Sequence, residues 1–593
     1  MTSFLDLPNE IIIDILSNAD ISLTEIYILS CLSKRLNNLA LPLYLAAHGI
    51  SDPEQEISIN VLDWDLHPQN TRLKSCRPDT LAGLNVSTNI SQVKHFKCFF
   101  QRPNGSNSSQ QPYNLSLAVK RTARFIDRLK HLEIAELYLV WDSYYVRSNK
   151  TIPHVPIPAL NEWTESFCAL LNLIVERGCT SLTVQYGASV EPAFRFRSSN
   201  PITKTFSNVF QKRRDHQARN INLHWELDRP LHEGKLDHSS VSTAHLSRRA
   251  QESNSIVTLS LHSTALLLPP CVDWTLSLLY SHSNLTCITF AHLTFPDAVW
   301  TTLLPLIADA VSDRLTKLSF FLQCTNLTGE NLIRFLGRLP HLTHLSVDRL
   351  LWSRFQFSRT KGKSQLFNLT PPYLPQLQIL QAPPELVSIL LNAQPPSSPS
   401  RKNEASTGLP QLRSLILYPC SLLQYPTNYS ESTSVINTLI AQIKNRSRSH
   451  EVEYTLDLQT DFTNFVNMTQ YLQSQASEQK TYHSRWDEIN RVEVEQLASR
   501  QYGSRLVFHD ITRVVMYPHY DPTSLCPWLS LLFPHLKTLV FTCRITAQPK
   551  LGSLLDSEVA EELIKELIKE LPVVCPTVRS FVVADQTYEL GGD

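Results

Sequence analysis

Glycine is scarce in this chain, with fourteen among 593 residues, about a third of the usual share of ~7%. Phosphate-cradling loops and dinucleotide folds need glycine where backbone must approach a ligand closely. Neither Gly-x-x-x-x-Gly-Lys-Ser/Thr nor Gly-x-Gly-x-x-Gly occurs, and His-Glu-x-x-His and Gly-x-Ser-x-Gly are missing as well. No motif spacing therefore points to nucleotide, metalloprotease or serine-hydrolase chemistry. A surplus of charge is also lacking: 54 Lys and Arg balance 54 Asp and Glu, so no global field recruits nucleic acid or an anionic membrane. No apolar run reaches the roughly eighteen residues of a membrane span. The best stretch, Ala265 to Tyr280, is broken by Pro269, Pro270 and Asp273.

The twelve cysteines contain no Cys-x-x-Cys pair and are scattered from Cys31 to Cys575, which reads as buried thiols rather than zinc ligands. Asp6, Glu10 and Asp14 stand near the start with no basic stretch before them. A secretory leader is not expected, and a reducing compartment, cytoplasmic or nuclear, follows. His232, His238 and His245 lie at intervals that suit no single helical face. Lys212-Arg213-Arg214 and the set Arg354, Arg359, Lys361 and Lys363 read as solvated insertions. No catalytic, cofactor-binding or metal-binding residue is expected.

What is present begins at the amino-terminal end. Pro8 suits the first turn of a helix, and Ile11, Ile12, Ile13, Ile15 and Leu16 follow it. At about 100° per residue these five spread over roughly 200° of the helix, twice the stripe that an ordinary surface helix buries. A second helix opens at Ser22-Leu23-Thr24-Glu25 with capping-box spacing and carries Ile26, Leu29, Leu32, Leu36 and Leu39. A unit of this size sits near the lower limit for folding alone, so its excess apolar surface needs cover from the rest of the chain and from a partner.

Leu7-Pro8-Asn9-Glu10-Ile11, Ile15-Leu16 and the later run Ser33-Lys34-Arg35-Leu36-Asn37-Asn38-Leu39-Ala40 together resemble an F-box, over roughly residues 4–48. Leu36 stands where many members of that family carry a large aromatic. The resemblance implies docking on the Skp-type adaptor of a cullin-RING (SCF-type) ubiquitin ligase, with the remainder of the chain holding a protein substrate of unknown identity. It assigns Leu7, Pro8, Ile11, Ile12, Ile15, Leu16, Leu32 and Leu36 to the F-box fold and adaptor surface.

From about residue 255 a phrase of the form Leu-x-x-Leu-x-Leu recurs, with first positions at 256, 285, 315, 342, 412 and 536 and a partial copy at 377. The early intervals of 29, 30 and 27 residues match leucine-rich repeats, with a short strand and a helix in each unit. Thr328 to Pro340 reads as one such helix, with Leu332, Phe335, Leu336 and Leu339 on a stripe. The stretch Leu315 to Val347, with Cys324 after its strand, resembles the cysteine-containing leucine-rich repeats found behind F-boxes. The asparagine ladder of regular repeats is missing. Weaker copies at 129–140, 182–184, 221–223 and 578–583 extend the pattern.

The expected architecture is α/β, with three parts. Residues 1–48 form a small helical module, and residues 49–254 a linking region with early divergent repeats. Residues 255–593 form an irregular solenoid with parallel strands on a concave face and helices outside. Insertions near 393–408 and 444–451 are too polar to order themselves, and an amphipathic helix is expected near 554–571. Strand alternation puts Lys317, Ser319, Phe321, His344, Ser346, Asp348 and Tyr418 on the concave face as a partner-binding surface. The functional expectation is a non-enzymatic substrate receptor, with neither nucleic acid nor membrane as partner. A leucine-rich scaffold outside any ligase is the alternative.

Overall fold

The computed structural model describes residues 7–18, 21–62, 79–101, 116–140, 157–186, 194–196, 225–227, 243–348 (except 269, 296, 322, 323 and 325), 371–393, 409–418, 429–446, 451–458, 508–516 and parts of 529–590. The expected strand at 221–223, the insertions at 394–408 and 447–450, and nearly all of the helix at 554–571 lie outside the described residues. The chain divides into two compact units, residues 1–315 with 323–327, and residues 316–322 with 328–593.

Unit one opens with α1 (Asn9–Asn18), α2 (Leu23–Leu32) and α3 (Lys34–Ala47). Strand and helix then alternate: β1 (Glu56–Leu62), α4 (Thr80–Val86), β2 (Gln92–Gln101), α5 (Ser116–Arg128), β3 (His131–Val140), α6 (Ile157–Glu176) and β4 (Ser181–Tyr186). A short antiparallel pair comes next, β5 (Phe194–Phe196) with β6 (Trp225–Leu227). The alternation resumes with α7 (Arg248–Ser253), β7 (Thr258–His262), α8 (Val272–Ser281), β8 (Cys287–Ala291) and α9 (Asp297–Val311). Strands β1, β2, β3, β4, β7 and β8 pair in that order, all parallel. No break separates the 49–254 region from the strands after residue 255, since β4 pairs with β7 across that point.

Unit two continues the same grammar with β9 (Lys317–Phe321), α10 (Gly329–Leu336), β10 (His344–Val347), β11 (Ile379–Ala382), α11 (Pro384–Leu391), β12 (Ser414–Leu417), α12 (Tyr429–Arg446), β13 (Glu453–Leu458), β14 (Arg513–Met516), β15 (Thr538–Phe541) and β16 (Ser580–Val583). These eight strands are parallel and in chain order. A last strand, β17 (Gln586–Glu589), returns antiparallel to β16. Parallel strands ordered as in the chain, with helical crossovers between many of them, define a solenoid-like α/β fold.

The recurring phrase does its structural work two residues before each strand. Its first position is buried at Ile256, Leu285, Leu315, Leu342, Leu377, Leu412 and Leu536, and the strand begins at 258, 287, 317, 344, 379, 414 and 538. Within the strands Leu259 and Leu261, Leu318 and Phe320, and Leu415 and Leu417 point into the core. Alternate residues remain part-exposed on an open face.

Main-chain groups link the turns ahead of the strands. In unit one the amide of Thr180 donates to Glu133 O at 2.8 Å, Val257 to Thr180 O at 2.8 Å and Thr286 to Val257 O at 3.0 Å. In unit two Thr343 donates to Thr316 O, Gln378 to Thr343 O and Arg413 to Gln378 O, each at 2.8 Å. Donor and acceptor of one turn are thus satisfied by its neighbours, as buried backbone requires.

Candidate functional site

The amino-terminal helices are built by local rules. Ile12 N donates to Pro8 O at 3.1 Å, so the first turn of α1 closes on the proline. The capping box is formed: Glu25 N donates to Ser22 Oγ at 3.3 Å and Ser22 N to Glu25 Oε2 at 2.8 Å. The Ser22 amide, and then its hydroxyl, both donating to Glu25 Oε2 at 2.8 Å, hold the Glu25 carboxyl below its ordinary range. The second apolar run is not one helix. Ser33 is extended, with φ −155° and ψ 159°, and its hydroxyl accepts from Leu36 N at 3.2 Å. Ser33 thus ends α2 and starts α3, because a serine offering a cap competes with helix continuation.

Long-range polar bonds fix these helices to each other and to the strands. The Arg35 guanidinium donates to Leu7 O at 2.5 Å and to Asn9 Oδ1 at 2.8 Å, pinning the start of α1 to α3. Buried Asn37 donates to Ser30 O and Val86 O, each at 3.0 Å, and accepts from the Thr88 hydroxyl at 2.9 Å. Tyr44, pushed up to about 12 chiefly by burial, donates to Asp79 O at 3.0 Å.

This anchoring separates two roles among the residues assigned to the module. Ile12, Leu16 and Leu36 are buried and hold the helices together. Ile11 at 46%, Ile15 at 36% and Leu32 at 66% exposure face outward, Pro8 is exposed, and Leu7 is half-buried. Ile13, Leu23 and Ile28 are exposed as well. On α1 the buried pair lies about 100° round the helix from the exposed pair Ile11 and Ile15, with Ile13 about as far on the other side. Scattered exposed apolar residues are normal, but six of the thirteen exposed large apolar side chains among the described residues fall between positions 11 and 32. Such a concentration makes these helices the candidate site of the chain.

On the strands of unit two, Lys317 is exposed and Ser319, Phe321 and His344 are half-buried on the open face. Ser346, Asp348 and Tyr418, expected there too, are buried. The correction has a local cause. β10 buries residues 345 to 347 without alternation, while Asp348 and Tyr418 lie one residue past their strands, where their amides donate to Phe320 O and Ala382 O.

A groove of about 640 Å³ beside α5 and α6 is lined by Lys120, Arg124, Asp127, Glu165 and Glu176, a set of mixed sign. Among the described residues no three His, Cys, Asp or Glu side chains are grouped to hold a metal ion. No helix among them is long and apolar enough to cross a membrane. No protein-family model matches the chain, and no curated protein matches it in sequence.

Proposed function

We propose that the chain is the substrate-recognition subunit of an SCF-type ubiquitin ligase, with the amino-terminal helices as an F-box-like module and the strand-and-helix units as a degenerate leucine-rich-repeat array. The observation that carries this reading is the apolar surplus of Ile11, Ile15, Ile28 and Leu32, left in solvent by helices that are otherwise firmly anchored. An apolar helical surface of this kind fits a helical adaptor. The chain then works by tethering. Holding a target lysine near a ubiquitin thioester replaces a bimolecular encounter by an intramolecular one, so no titratable group of the chain need react.

Co-purification with a Skp-type adaptor tests the reading. Ile11→Glu with Ile15→Glu changes only exposed side chains, and recovery of the adaptor is expected to fall about tenfold or more with the melting temperature unaltered. Ile12→Ala, at a buried position, is expected to cost about 2–5 kcal/mol of stability. Equal adaptor recovery by the double variant and the unaltered chain would remove the docking claim and leave a protein-binding scaffold outside any ligase.

A further inference from the structure

We propose that the open strand face of unit one holds an extended segment of a partner protein through an arginine side chain seated against Glu136. The proposal rests on reading the strand faces as target-holding surfaces, and it places recognition on strands where the repeat phrase is weak or missing as well as on β7.

Register brings one row of side chains together on this face. Asn60 of β1 stands beside Phe99 of β2, Phe99 beside Tyr138 of β3, Tyr138 beside Gln185 of β4, and Gln185 beside His262 of β7. One step along, Lys97 stands beside Glu136. The Phe99 and Tyr138 rings stack with centroids 4.2 Å apart. Glu136 is partly buried and takes hydrogen bonds from two groups that bring no fixed positive charge: the His95 ring at 2.9 Å, through Nε2, and the Tyr138 hydroxyl. A carboxylate has about four lone-pair directions, so two remain for a further donor.

Lys97 is engaged by Glu56 at 2.8 Å, and among the described residues the ion-pair partner of Glu136 is the His95 ring, a pair that carries charge on both sides only when the imidazole is protonated. Burial holds His262 and His292 below the ordinary imidazole range, so neither supplies a cation at neutral pH. The site therefore presents a partly desolvated carboxylate beside an aromatic stack. Guanidinium satisfies both, because its planar fork bonds carboxylate and its face lies on aromatic rings.

The backbone adds an independent sign. Tyr186, at the end of β4, and His292, just after β8, have φ of 65° and 54°. Bulky residues adopt the left-handed region only at a cost, and such strain concentrates at binding sites. The Tyr186 and His292 rings lie with centroids 6.4 Å apart. Tyr186 is within electrostatic reach of Tyr138, and His292 within that of His262. His262 Nε2, beside this pair, is buried without a hydrogen-bond partner.

Selection of displayed random twelve-residue peptides on the purified full-length chain, with no adaptor present, tests this separately from the docking claim. The expected result is enrichment of arginine at one position. A synthetic copy of a selected peptide should bind about tenfold or more weakly when that arginine is citrulline, or when the protein carries Glu136→Gln, as loss of a charged hydrogen bond predicts. Tyr186→Ala, at an exposed side chain, should weaken the same peptide without altering the melting temperature. Selection of no peptide, enrichment of acidic or purely apolar sequences, or equal binding by both variants would overturn the proposal.

Discussion

Single side chains decide much in this molecule because its strands are short and each carries few inward positions. His262 illustrates the electrostatic side. Burial, helped by neighbouring His292, pushes its ring down to about 4 from an ordinary 6.5. The unfolded chain therefore takes up this proton first as pH falls. Stability from the neutral ring is complete above about pH 6.5 and is lost as pH falls toward about 4, by up to about 3 kcal/mol. Urea unfolding at pH 7.5 and pH 4.5 should show His262→Gln losing less stability over that interval than the unaltered chain. Identical losses would mean that His262 is solvated and that its neighbours do not enclose it.

Between elements, the contact of α3 with α4 offers the sharpest packing test. A Cβ on Gly83 would lie 2.6 Å from Tyr44 Cε1 and 2.8 Å from Cδ1. Alanine in a helix normally gains up to about 1 kcal/mol over glycine. Tyr44 is buried, though, and tethered through its hydroxyl, so overpacking costing about 1–3 kcal/mol should win. Gly83→Ala is expected to lower the melting temperature by a few degrees, and a rise would show that the ring gives way. The same scale explains what could be read from sequence. Strands preceded by Leu-x-x-Leu-x-Leu were legible, since burial two residues ahead of the strand demands a large apolar side chain. β1 and β2 were not, although Ile57, Ile59 and Val61 alternate inward in β1, because neither begins with that phrase. The capping box at Ser22 was legible from spacing alone, whereas the break at Ser33 was hidden by an apolar stripe that runs on across it. Of the eight residues assigned to the amino-terminal surface, sequence could not tell Ile11 from Ile12. Both are isoleucines on one helix, and only the packing of α1 against α3 sends one inward. The Glu136 cluster carries no signal along the chain, since strand register, not spacing, assembles it.

At the scale of whole units, each strand of the parallel stack pairs only with its one or two neighbours in the stack, so stability is a chain of neighbour terms rather than one indivisible core. Main-chain rungs link the turns ahead of the strands, which leaves the sequence free to drift wherever a position is neither inward-facing nor capping. A stack of this kind also has an edge problem, because a parallel strand with one bare side is a template for further pairing. β17 answers it at one end. It runs against β16, Phe581 and Tyr588 stack at 4.8 Å, and Leu590 N donates to Arg579 O at 2.7 Å. Its Gln586, Thr587 and Glu589 are exposed. Truncation after Val583 should bare β16, and sedimentation velocity should then detect faster species that grow with concentration and are absent from the intact chain. Unchanged sedimentation would show that another segment guards this edge. The reversed strand thus acts as a full stop: it tells a ladder that could recruit a sister molecule where to end.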